Sequence, residues 1–164
     1  MKKVRLSGIA YESLVNGPGL RRVFFAQGCR HNCAGCFNPE THDFKNGELM
    51  DIDKLIEDVR ENPLLKGITF SGGDPMEQAD KFACMAREFK SFGLNIWCYT
   101  GYRFEEIIKD EVKREFLNYI DVLVDGKFEE KLADEGLKYR GSSNQRIIDV
   151  QKSLDENEVK ILEF

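Results

Sequence analysis

The stretch GITFSGGDPMEQADKFACMAREFKSFGLNIWCYTGY, residues 67–102, changes its hydrophobic period twice. GITFSGG is a short apolar run closed by a glycine turn, the pattern of a buried strand. In EQADKFACMAREFKSFG, Ala79, Phe82, Ala83, Ala86 and Phe89 fall on one helical face, and Gly93 supplies a stop. LNIWCYTGY returns to strand and turn. Two strands separated by a helix of this length are joined by a crossover, which makes them parallel neighbours in an α/β sheet.

The alternation continues in both directions. RRVFFAQG (21–28) is an apolar run ending in Gly28, and DIDKLIEDVRE (51–61) places Ile52, Leu55, Ile56 and Val59 at helical spacing behind acidic residues that suit a helix start. FEEIIKDEVKREFLNYI (104–120) reads as one helix, with KDEVKRE as its solvated face, and DVLVDGKF (121–128) as a strand running into a turn. The expected order is strand–helix four times over, without the last helix, with mostly parallel strands and right-handed crossovers. QRIIDV and EVKILEF, near the C-terminus, read as short terminal strands. No internal repeat, low-complexity tract or linker interrupts residues 1–164, so a single domain is expected.

Composition narrows the functional classes. With 41% hydrophobic and 32% charged residues the chain has the balance of a soluble globular protein. A net charge of −5 gives no footing for a nucleic-acid backbone. No apolar run reaches bilayer-spanning length, and MKKVRLSGIAYESLVNGPGL lacks the apolar segment of a secretory signal. The expectation is a cytoplasmic protein with neither nucleic acid nor membrane as partner. Thiols stay reduced there, so clustered cysteines indicate metal or redox chemistry rather than disulfides.

Such a cluster exists. GCRHNCAGCFNPE (28–40) holds Cys29, Cys33 and Cys36 at C-x3-C-x2-C spacing, with no fourth cysteine at a matching interval. Three unrelated buried thiols are a poor reading of so tight a group. A structural zinc would need His31 or His42 as fourth ligand. A 4Fe-4S cluster on three thiolates leaves one iron open, and an open position is how a metal centre binds a reactant. Parallel α/β sheets place ligands at the carboxyl ends of their strands. The cysteine loop, SGGDP, YTGY and DGKF each follow a predicted strand, so one ligand can touch all four turns.

With Phe37 directly after Cys36, the cysteine motif resembles the signature of the radical S-adenosylmethionine superfamily, and SGGDP is similar to its glycine-rich motif, with Asp74 where Glu is commonest. VNGPGLR, CFNPETHDF, IWCYTGY, DVLVDGKF and RGSSNQRIID resemble the subgroup that activates anaerobic ribonucleoside-triphosphate reductase, up to Asp149. The resemblance implies an open partial (β/α) barrel, since the chain falls well short of the about 250 residues of a full one, with a lateral gap for a protein substrate. It implies that Cys29, Cys33 and Cys36 ligate three irons, and that the fourth holds the amino and carboxylate groups of S-adenosylmethionine. Gly35, Cys36 and Phe37 would line the adenine side, Gly72 and Gly73 would let the methionine end approach, and Asp74 would accept from its ammonium. Without the resemblance, SGGDP is a strand-to-helix turn with Pro75 at the helix start. One electron from the cluster would split the cofactor's S–C5′ bond, and the resulting 5′-deoxyadenosyl radical would take a hydrogen atom from a glycine of the reductase. Reduced flavodoxin is the implied electron donor.

The remaining polar and sulfur residues carry expectations of their own. Thr100 and Asp125, at strand ends, are candidates for cofactor-ribose contacts or for turn roles. Cys84 and Cys98 read as packed thiols, with Trp97 and Tyr99 pointing away from Cys98. His31 reads as a solvent-facing or partner-facing loop residue, and His42 is unassigned. Arg140 and Arg146 are solvated charges or supports for partner or cofactor. Rival functions are a zinc-binding interaction module, a ferredoxin-type carrier, which needs a fourth cysteine, and an activase of another glycyl-radical enzyme, many of which carry extra cysteine-rich insertions.

Overall fold

The computed structural model describes residues 2–36 and 39–164. The described residues form strands β1 (Lys3–Ser13), β2 (Arg21–Ala26) and β3 (Glu48–Asp51), helix α1 (Ile52–Arg60), β4 (Gly67–Gly72), α2 (Ala79–Ser91), β5 (Asn95–Tyr99), α3 (Phe104–Ile107), α4 (Glu111–Leu117), β6 (Val122–Asp125), β7 (Arg146–Asp149) and α5 (Val150–Glu156). All seven strands join one sheet in the order β3-β1-β2-β4-β5-β6-β7. The central strands β2, β4, β5 and β6 are mutually parallel. β1 is antiparallel to both neighbours and β7 is antiparallel to β6, so β3 runs with the central strands. The sheet is therefore mostly parallel, and it is not closed: β3 and β7 are its terminal strands.

The helices and the second face of the sheet explain the strand patterns. Ile96 and Cys98 of β5, Ile68 and Phe70 of β4, and Phe24 of β2 point into one core with apolar faces of α1, α2, α4 and α5. Phe24, Phe70, Phe82, Phe89 and Phe116 form its aromatic centre, with Phe70 and Phe82 4.9 Å apart edge to face and Phe24 and Phe89 5.7 Å apart. Burial of each such ring is worth about 1.5–3 kcal/mol. The alternate residues Trp97, Tyr99, Val122, Val124 and Ile147 face the other side, where they meet Tyr139 and Leu162. Cys98 does point away from Trp97 and Tyr99. On that second face Arg21 is buried, and its guanidinium donates to Thr69 Oγ1 and to the carbonyls of Pro18, Ile68 and Asn95. Burial lowers its pKa to about 10.

Three expectations need correction. The single helix over 104–120 is two, because the Asp110 carboxylate accepts from Val112 N and Lys113 N and starts a new helix there. EVKILEF is not a strand. It meets β7 through one bridge, Ile148 with Ile161, and the bonds Asp149 N→Lys160 O and Leu162 N→Ile147 O, because its first residue is still tied to the end of α5 through Glu158 N→Ser153 O. β1 and β3 were not anticipated, since Gly8 and scattered polar residues blur the period of β1 and β3 has only four residues.

Candidate metal centre and cofactor site

The carboxyl ends of the four parallel strands lie along one edge, and each expected turn follows one of them: the cysteine loop after β2, Gly72–Asp74 after β4, Thr100–Tyr102 after β5 and Gly126–Phe128 after β6. Backbone bonds knit the turns together. Gly73 N donates to Ala26 O, Asp74 N to Gly28 O, Gly28 N to Thr41 O and Cys29 N to His42 O. Gly73 is needed for this join: a Cβ there would run into the Gly28 carbonyl and come within 2.8 Å of Thr41 O. Gly72 has φ +111 and lies as tightly against the backbone of Ala26. Both glycines thus let the SGGD turn approach the root of the cysteine loop.

Cys29, Cys33 and Cys36 are half-buried in that loop, whose winding depends on positive φ at Asn32 and Gly35 and on Cys36 N→Cys33 O. Burial pushes the Cys29 thiol up to about 11, and Asp74 and the neighbouring thiols push the same way. Cys33 is raised by the same first cause. Polypeptide alone therefore disfavours a set of thiolates here, whereas a bound cation reverses that balance. Among the described residues no three His, Cys, Asp or Glu side chains converge closely enough for a single metal ion. A cluster spaces its ligands more widely than one zinc does, because each thiolate takes a different iron. Three thiols suit a cluster's donor set; of the two histidines either of which could complete a zinc site, His31 is bonded to Asp74, while His42 Nε2 is buried without a hydrogen-bond partner among the described residues.

His31 is not a surface residue. Its side chain is 6% exposed, its Nε2 lies 2.6 Å from Asp74 Oδ2, and its ring stands edge-on to Tyr102 with centroids 4.5 Å apart. Gly101 leaves the room, since a Cβ there would come within 2.5 Å of the imidazole. Sequence reasoning missed this, although the residue's place between two of the clustered cysteines was a signal. Asp74 is fully buried. Its Oδ1 accepts from Met76 N and Oδ2 from Gly101 N, both oxygens lie 2.9 Å from the Thr100 hydroxyl, and His31 adds the bond to Oδ2. A carboxylate has about four lone-pair sites, so Asp74 has no acceptor left for a cofactor ammonium in this arrangement. Thr100 is likewise buried and committed to Asp74.

Asp125 belongs to a neighbouring network. It is 1% exposed, accepts from Phe104 N at 2.7 Å and is held bidentate by Arg146, which also reaches Glu105. Arg146 draws Glu105 down to about 2 and is itself raised by the two carboxylates. Arg140 donates to Ser143 O and Gln145 O and so shapes its own loop. Cys98 is buried, and Cys84 is only half-buried against the core. The expectation for Phe37 lies outside the described residues.

Two cavities flank the cysteine loop. The larger, about 830 Å³, opens on the helix-free face and is lined by Gly35 with Phe25, Ser71, Tyr99, Glu130 and Tyr139, among others. The smaller, about 480 Å³, is lined by Cys33, His31, Asp125 and Arg146, among others. The loop thus presents Cys33 to one cavity and Gly35 to the other. Gly35 and Asp125 reach cavity walls, whereas Gly72, Gly73, Asp74 and Thr100 line neither.

Comparison with known proteins gives this arrangement a family. Residues 15–148 match the family described as "4Fe-4S single cluster domain". A protein of Vibrio cholerae named anaerobic ribonucleoside-triphosphate reductase-activating protein is 41% identical over 143 residues, covering 82% of this chain and 90% of the relative. Proteins of the same name from Enterobacteria phage T4 and Escherichia coli K12 are 38% and 36% identical over 141 residues, covering 81% and 80% of this chain and 86% and 90% of the relatives. The chain belongs to the family of anaerobic ribonucleoside-triphosphate reductase-activating proteins. The cysteine loop of this reductase-activating family member lies within the matched iron–sulfur region, as do the SGGD turn, Thr100 and Asp125.

Proposed function

We propose that the protein is a cytoplasmic radical S-adenosylmethionine activase of one domain, which makes a glycyl radical on anaerobic ribonucleoside-triphosphate reductase. The observation that carries this is the three-cysteine loop at the carboxyl edge of the parallel strands, beside a large open cavity on the helix-free face. Cys29, Cys33 and Cys36 would hold a 4Fe-4S cluster, and the iron without a cysteine would take the amino and carboxylate groups of S-adenosylmethionine. The bound pair supplies the one-electron cleavage that turns the cofactor into a hydrogen-atom abstractor, at cluster potentials that reach about −700 mV. Reduced flavodoxin fits as the electron donor.

The chain's own residues bind, orient and shield. Gly35 places bare backbone in the wall of the larger cavity, about 830 Å³ against about 480 Å³ for the other, where a nucleoside and a glycine-bearing peptide would meet. Burial pushes the Tyr99 phenol in that cavity well up, so it stays protonated and donates rather than ionises. The open sheet, read as the superfamily's partial barrel, leaves the lateral gap through which a second polypeptide enters. Asp74 and Thr100 order the turn behind the loop, so support of the cofactor from that side falls to backbone. Anaerobic reconstitution tests the proposal. Iron and sulfide should be bound, the reduced protein should give an electron paramagnetic resonance signal that changes on adding S-adenosylmethionine, and a glycyl-radical doublet should appear on the reductase. A colourless protein that takes one zinc and never iron would refute it.

A further inference from the structure

We infer that His31 is a positioning residue for the iron–sulfur cluster, acting through Asp74; the inference rests on the cluster reading above. His31 sits between the ligands Cys29 and Cys33, yet its side chain turns away from solvent into a slot floored by Gly101 and walled by Tyr102. There its Nε2 meets Asp74 Oδ2 at 2.6 Å, the shortest of the contacts this carboxylate makes. A carboxylate only accepts, so Nε2 carries the proton and donates. The other end of the contact is rigid. Met76 N, Gly101 N and the Thr100 hydroxyl fix the carboxylate from two strand ends, and Tyr102 is fixed in turn by its hydroxyl donating to Glu77 Oε1 at 2.6 Å.

The loop is held at several points. Its backbone is tied down at Gly28 and Cys29, and again at the Cys33–Cys36 turn; between them Asn32 lies in the left-handed region, and the exposed Arg30 pairs with Glu77 Oε2 at 3.2 Å and lies over the Phe44 ring. Of these two side-chain anchors, the His31–Asp74 hydrogen bond is the one buried at both ends, and it orders how Cys29 and Cys33 are disposed toward each other. Three thiolates must present themselves together to hold a cluster, and an anchor at the midpoint of the C-x3-C spacing supplies that order before any metal arrives. Asp74 then serves the centre by fixing His31 rather than by touching the cofactor.

The test measures cluster retention instead of turnover. Wild type, His31→Ala, His31→Gln and a control of matched melting temperature, Ile148→Val or another β7 substitution, are reconstituted anaerobically. Iron loss to an excess of chelator is followed by absorbance, and the melting temperature of each apo-protein is recorded. Partners that orient metal ligands typically change metal affinity by about 10–100-fold, so His31→Ala should lose iron about that much faster than the control. His31→Gln, whose amide nitrogen can reach the same carboxylate, should recover most of the difference. Iron loss from His31→Ala at the rate of the matched control, or no recovery with Gln, would overturn the inference. A wild type that never holds iron would instead overturn the cluster reading itself.

Discussion

Replacing Asp74 by Ala removes the acceptor on which the strand-end network converges. Met76 N and Gly101 N lose their partner, and so do the Thr100 hydroxyl and His31 Nε2. The hydroxyl can rotate to another acceptor, but the two backbone donors cannot move without distorting β4 and β5. An orphaned buried donor costs about 1–3 kcal/mol, so the two together cost about 4 kcal/mol. That is a large share of the 5–15 kcal/mol or so that holds an ordinary domain together. For a chain of 164 residues each kcal/mol moves the melting temperature by about 2–4 °C, which gives a fall of about 8–16 °C. Asp74→Asn keeps one acceptor oxygen and should lose about half as much. The assay is thermal unfolding of apo-protein by circular dichroism, with S-adenosylmethionine affinity titrated on the reconstituted variants. Apo-Asp74→Ala melting within about 2 °C of wild type, with weakened cofactor affinity, would refute this reasoning and return Asp74 to direct contact with the ammonium.

Other outcomes follow from the same geometry. Cys29→Ala, Cys33→Ala and Cys36→Ala should each abolish the brown 4Fe-4S chromophore and cleavage of S-adenosylmethionine, whereas Cys84→Ala, on the helix side and half-buried, should keep both; iron analysis after reconstitution decides. Arg146→Met should destabilise the apo-protein by about 3 kcal/mol, because Asp125 stays buried without its partner, and a urea titration reads the loss. Arg146 holds Glu105 down to about 2 from 4.5. That depressed pKa contributes stability above pH 4.5 and loses it as the pH falls toward 2, so wild type should lose melting temperature over that window more steeply than Glu105→Gln. The side chain is 51% exposed, so the difference should stay below about 1 kcal/mol.

Local pattern carried most of the fold because each central strand is buried on both sides. A strand such as RRVFFA must be apolar along its length, and the helices between strands must show one apolar stripe, so the period switches are visible without coordinates. The edges were harder to read. β1 has one face less constrained, β3 is four residues long, and a single capping aspartate, Asp110, divided a helix whose apolar period runs through it. Capping competes with helix continuation by a margin of about 1 kcal/mol, which a periodicity argument cannot resolve.

For the site, the sequence by itself picked out the candidate ligands and the edge they lie on. Three thiols in eight residues need no tertiary contact to be recognised as a metal-binding set, and turns that follow parallel strands fall on one side of a sheet by topology alone. How the second turn is bonded was decided only by the tertiary structure. SGGDP alone reads as a helix start and, beside the cysteine motif, as a cofactor cradle, because the same glycines serve any close backbone approach. In three dimensions the approaching backbone is that of Gly28 and Ala26, and the Asp74 carboxylate is filled by donors from residues 31, 76, 100 and 101. Those donors are up to 43 residues away in sequence. Hydrogen-bond saturation is a property of the folded neighbourhood, and no spacing along the chain encodes it.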